Sequence, residues 1–238
     1  MRRQKVKEQE KYTEYPIEDM LEQLVKLTPL KWGGYAFYHE PLERKFSGEE
    51  KEAYTKKAEE CGILEAKKLR TQFPEMEVRQ IAEALGVKVE TPDTPTGGGH
   101  VVFAQYVEPD EITIFKDCVV RAGTLIREKQ LERYLPGLNV EEVLMAHELF
   151  HAVEFQKKKE IYTQVEKIEL WHKPFSNKSR IVALSEIAAM AFAGEMTQLS
   201  FSPYVLDVLL MYGYNKEAAC ALYEEILEAA GIKEREEA

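Results

Sequence analysis

The pentapeptide His147-Glu148-Leu149-Phe150-His151 constrains this chain more than any other stretch. On a helix, residues four apart share one face, one turn from each other, so both imidazoles can aim at a single ion. Glu148 lies about 100° round the helix from His147. There its carboxylate reaches a water on the metal without being a ligand itself. The pattern is that of metal-assisted hydrolysis, with Zn2+ as the expected ion and Glu148 as the general base. For the His and Glu content of this chain, chance gives only about 0.02 such matches. The neighbours Leu144, Met145, Ala146, Leu149, Phe150, Ala152 and Val153 are uncharged, which predicts a dry, tightly packed setting. Asn139-Val-Glu-Glu142 has capping-box spacing and opens the predicted helix, which runs to about Gln156.

A catalytic zinc needs a third protein ligand and an open fourth position. The metzincin pattern would place Gly at 154 and His at 157, but the chain has Glu154 and Lys157 there. The third-ligand candidates are Glu154, Glu166, Glu169, His172, Glu186 and Glu195. Glu186 is selected because it is the sole ionisable residue between Ile181 and Gly194. An isolated carboxylate buried in an apolar helix is costly unless it is paired or metal-bound. Ala183, Ala188, Ala189, Ala191, Ala193 and Gly194 would also let a second helix approach closely. Glu166 and Glu169 sit in a polar stretch. His172 falls in a predicted loop, as a fallback ligand or a transition-state donor.

The remaining signals predict an α+β fold, mostly helical, with a small antiparallel or mixed sheet before the central helix. Helices are expected over 47–72, opened by the Ser47-Gly-Glu-Glu50 box, and over 77–85, stopped by Gly86. Others are expected over 118–134 and 179–199, after Ser202-Pro203, and after Asn215. Strands are expected over 87–90, 100–107 and 111–115, the last two as a hairpin. An edge of that hairpin is the expected seat of an extended peptide. Residues 160–178 read as loop. Trp32, Tyr35, Phe37, Tyr38 and Phe46 crowd around Gly33-Gly34 and Pro41, which reads as an irregular arm that packs its rings on something.

Three pieces resemble the ImmA/IrrE type of zinc metallopeptidase, a gluzincin relative. They are Gln80-Ile-Ala-Glu-Ala-Leu-Gly-Val-Lys-Val89, Leu144-Met-Ala-His-Glu-Leu-Phe-His-Ala152 and Glu186-Ile-Ala-Ala-Met-Ala-Phe-Ala193, the last followed by Pro203. They span about residues 76–204. The resemblance implies a zincin-like metallopeptidase domain, zinc held by His147, His151 and Glu186, and Glu148 as the base. It implies a cytoplasmic peptidase acting on a peptide or protein substrate, often a regulatory protein. Met190 stands where that family usually carries a polar residue that orients a metal-bound histidine. The resulting organisation is an aromatic-rich N-terminal arm over 1–46, partly disordered, and a single zincin-like domain over 47–238.

The net charge of −10 disfavours nucleic acid and anionic lipid as partners. Gln80 to Val87 also resembles the start of a helix-turn-helix, but Lys-Val-Glu-Thr-Pro-Asp-Thr-Pro follows, which cannot form a recognition helix. No apolar run is long enough to span a membrane. Cys61, Cys118 and Cys220 are spaced as free thiols of a reducing compartment, which with the charged opening segment suggests a cytoplasmic chain. The alternative reading is a non-catalytic regulatory or interaction protein that keeps a zinc-binding zincin scaffold.

Overall fold

The computed structural model describes residues 13–93, 102–171 and 177–232. Helices α1 (Ile17–Leu24), α2 (Pro29–Tyr38), α3 (Gly48–Gln72) and α4 (Val78–Ala84) lead into strands β1 (Lys88–Glu90), β2 (Ala104–Val107) and β3 (Glu111–Ile114). Then come α5 (Lys116–Lys129), α6 (Val140–Gln156) and the short α7 (Tyr162–Val165). Strands β4 (Lys167–Trp171) and β5 (Asn177–Arg180) precede α8 (Val182–Thr197), α9 (Val205–Tyr214) and α10 (Lys216–Ala229). The fold is α+β, dominated by helices, with two small sheets. None of the described helices is long and apolar enough to cross a membrane.

Three of the N-caps read from the sequence, Ser47, Asn139 and Asn215, hold. Ser47 Oγ accepts from the Glu50 amide at 3.2 Å, and the Glu50 carboxylate accepts from the Ser47 amide at 2.8 Å. Asn139 caps α6 through the Glu142 amide, and Asn215 caps α10 through the Ala218 amide. Each satisfies an amide that the first helical turn leaves without a partner. The first sheet has the order β1-β3-β2, with β1 parallel and β2 antiparallel to β3. Ile112 and Ile114 of β3 are fully buried, and both β2 and β3 lie against α6. β2 therefore forms an edge of the sheet beside the HExxH helix.

Helix α8 lies between α3 and α6 and packs most extensively on α3. The helices meet where α3 carries Gly62. A Cβ there would stand 2.1 Å from the carbonyl oxygen of Ala188. The small residues of α8 thus serve the approach of α3 as well as that of α6. Arg70, near the end of α3, donates to the Met196 carbonyl at 2.5 Å and ties down the far end of α8. Gly62→Ala is expected to destabilise the chain by about 3 kcal/mol, because backbone rather than a flexible side chain must yield. Denaturant unfolding checks this; a loss below about 0.5 kcal/mol would show that the two helices separate freely.

Several expectations need correction. Residues 16–46 are no irregular arm. Ile17, Met20, Leu21 and Leu24 of α1 and Trp32 and Phe37 of α2 lie in the same buried cluster as the central helices. Pro29 opens α2 after Thr28, and its glycines sit at close contacts: a Cβ on Gly33 would meet the Thr55 side chain at 2.2 Å. Residues 160–178 hold α7 and the β4–β5 pair in place of a loop. Ser179 and Arg180 belong to β5, so α8 starts at Val182, and α9 starts at Val205, beyond Ser202-Pro203. Residues 1–12, the Gly97-Gly98-Gly99 stretch, His100, Val101 and His172 lie outside the described residues.

Candidate metal centre

His147 and His151 project from α6 toward α8, where Glu186 faces them. The two Nε2 atoms are 3.2 Å apart. One Glu186 oxygen lies 3.5 Å from His147 Nε2, and the other lies 3.8 Å from His151 Nε2. Two ligands at zinc–nitrogen distances and a tetrahedral angle are about 3.4 Å apart. The three separations lie around that value, each histidine facing a different oxygen of the Glu186 carboxylate. This is the group of three or more His, Cys, Asp or Glu that could hold an ion among the described residues. Glu154, Glu166, Glu169 and Glu195 do not belong to it.

The position of Glu186 depends on both ends of its helix. Ile181, the N-cap residue of α8, makes no side-chain cap. Instead Glu40, buried just after α2, accepts from the Ala183 amide at 3.0 Å. A carboxylate at a helix N-terminus satisfies a free amide and suits the dipole. The N-terminal segment thereby fixes the helix that carries Glu186. Glu186 itself is not sealed in a core: its side chain is 45% exposed, toward a cavity. Its apolar helix supplies the packing, and the cleft keeps the carboxylate hydrated.

Burial, and next the charge of His151, push His147 down to about 3, so its imidazole is neutral, as metal ligation requires. For His151, burial works in the opposite direction, but Glu154, Glu186 and Glu148 outweigh it and hold its pKa above the ordinary value. Burial pushes Glu148 up to about 7, with His151 and the Tyr106 backbone pulling it back. A base is most effective when its pKa lies near the working pH. Glu148 lines the same cavity as His147 and Glu186.

The support behind His151 was not legible in the sequence. Its Nδ1 lies 3.3 Å from Ser185 Oγ and 3.7 Å from a Glu154 oxygen. Ser185 Oγ donates to Glu154 at 2.8 Å, and Thr163 Oγ1 donates to its other oxygen. Burial would raise Glu154, but the nearby His151 imidazole and the hydrogen bonds from Thr163 and Ser185 hold it below the usual carboxylate range. A carboxylate behind a ligating histidine fixes the tautomer and raises its basicity. Glu154 and Ser185 thus do for His151 what Met190 cannot. His147 has no such partner among the described residues; its Nδ1 is buried without a hydrogen bond. Glu154→Gln is expected to weaken zinc binding by roughly 10–100-fold. Chelator competition measures it, and unchanged affinity would show that Glu154 only fills space.

A cavity of about 340 Å³ opens beside His147 and Glu186. Val143, Leu144, Met190, Leu206 and Leu210 form apolar walls, and Phe103 and Ala104, at the start of β2, form one side. One arm of the hairpin therefore borders the cleft, as read from the sequence. No protein-family model, curated protein or solved structure matches the chain.

Proposed function

We propose that the chain is a zinc-dependent metallopeptidase of the zincin type, with His147, His151 and Glu186 as ligands and Glu148 as the general base. The observation that carries this reading is the convergence of two imidazole Nε2 atoms, 3.2 Å apart, on one carboxylate whose two oxygens lie 3.5 and 3.8 Å from them. Two imidazoles and a carboxylate with an open side are the donor set of a catalytic zinc rather than of a closed structural site. Zinc bound there would supply Lewis acidity, lowering the pKa of water and polarising the scissile carbonyl. The chain's own groups do the rest. Glu148 takes a proton from the attacking water and returns it to the leaving amine. Leu149 and Phe150, both fully buried, keep water out behind the site. The outward backbone groups of β2, an edge strand, offer hydrogen bonds to an extended peptide.

The test is hydrolysis of randomised peptide pools by the zinc-loaded protein, followed by mass spectrometry. Cleavage that a chelator abolishes and added zinc restores is the expected result. Zinc binding with no cleavage of any pool would favour the non-catalytic scaffold.

A further inference from the structure

The cavity beside the metal centre is also lined by residues that the proposed mechanism does not use. Asp207 of α9 lines it, with Tyr35 of α2 and Tyr204, the residue just before α9. Tyr35 donates to Asp207 Oδ2 at 3.4 Å, at the long limit of a hydrogen bond. Tyr204 is 5% exposed, and its hydroxyl is buried without any partner. Its ring is fixed between Trp32, stacked at 5.3 Å, and the edge-on ring of Tyr35 at 5.7 Å. A buried hydroxyl with no partner is costly, and so is a carboxylate among apolar walls with no cationic side chain beside it. Among the described residues, no Lys or Arg lines this cavity. His39 also lines it, but it is held by Glu225 at 3.0 Å.

Both unmet needs point to the same kind of occupant. The side walls are aliphatic, from Val143, Leu144, Leu206 and Leu210, and the polar lining residues other than His39 and those of the metal centre are Asp207, Tyr35 and Tyr204. An aliphatic stem with a cationic head matches walls and polar groups together. A free α-amino group brings the charge without the stem.

We infer that this part of the cavity is a specificity subsite for a basic side chain, lysine or arginine, of the substrate, with Asp207 as its counter-ion and the Tyr35 and Tyr204 hydroxyls as further hydrogen-bond partners. The inference rests on the peptidase reading for the word substrate, but the binding site it describes can be measured without turnover.

The probes are N-acetylated, C-amidated heptapeptide pools, randomised except for Arg, Lys, norleucine or Glu fixed at the central position. Acetylation removes the α-amino group as a competing source of charge. Binding is measured on the zinc-loaded Glu148→Gln protein, with and without Asp207→Asn. The Arg or Lys pool is expected to bind at least about tenfold more tightly than the norleucine pool, as when a buried charge gains a partner, and Asp207→Asn removes the difference. Equal binding of the norleucine pool, no binding of any pool, or a basic preference that survives Asp207→Asn overturns the subsite. The parallel hydrolysis assay separates the two readings. Cleavage by the parent protein without basic preference sinks the subsite and keeps the peptidase. Basic preference in binding without cleavage by the parent keeps the subsite and sinks the peptidase.

Discussion

Glu148→Gln is expected to lower peptide hydrolysis on the order of 10²–10⁴-fold while zinc content stays unchanged. The substitution preserves size, so the buried position is refilled, and removes the one property the proposed role needs, a proton-accepting oxygen. Burial has already brought that carboxyl to about 7, close to the pH at which a base works best. Zinc should remain because Glu148 is outside the group of three converging donors. Rate and metal content measured on the same preparation decide the point. Parental activity in the Gln variant, or zinc lost together with activity, contradicts the role.

Replacing a donor should have the opposite signature. Glu186→Ala is expected to cost more zinc affinity than the roughly 10–100-fold expected for loss of a supporting residue such as Glu154. The fold should tolerate it, since the side chain faces a cleft and fills no core. Zinc at about 100 times its dissociation constant should stabilise the parent by about 2.7 kcal/mol. For a chain of this size that raises Tm by roughly 5–10 °C. Glu186→Ala should lose that rise while keeping the metal-free Tm. A full zinc-dependent rise in the variant would remove Glu186 from the ligand set.

How far the sequence foretold this arrangement depended on whether a signal was local. The HExxH helix, the Asn139 and Asn215 caps and the Ser47 capping box are read within one or two turns, and the structure places them as read. Glu186 was selected as a buried charge in an apolar helix, whereas its carboxylate is half exposed in a cleft. The apolar helix does bring the residue beside the histidines, but the cleft and not the helix sets its solvation. Helix α1 was legible and overlooked: Ile17, Met20, Leu21 and Leu24 follow the i, i+3, i+4, i+7 spacing of a buried helical face. In α2 the signal was masked, because Gly33 and Gly34 read as chain breakers but are the points where Thr55 and the Ala229 carbonyl approach. Three features were beyond local reading. Glu40 caps a helix that begins more than a hundred residues later. Glu154 meets His151 through Ser185 of another helix. Asp207 reaches the cavity only because α9 folds back against it. Each depends on a tertiary contact that no periodicity or motif encodes.

X-ray absorption at the zinc edge of the zinc-loaded protein tests the central assignment most directly, because it reads the ligand types around the ion. The account predicts two imidazole nitrogens at about 2.0–2.1 Å, visible by their multiple scattering, with carboxylate and water oxygens at about 2.0–2.2 Å. Sulfur at about 2.3 Å, or an oxygen-only shell without imidazole scattering, would contradict a site built from His147, His151 and Glu186.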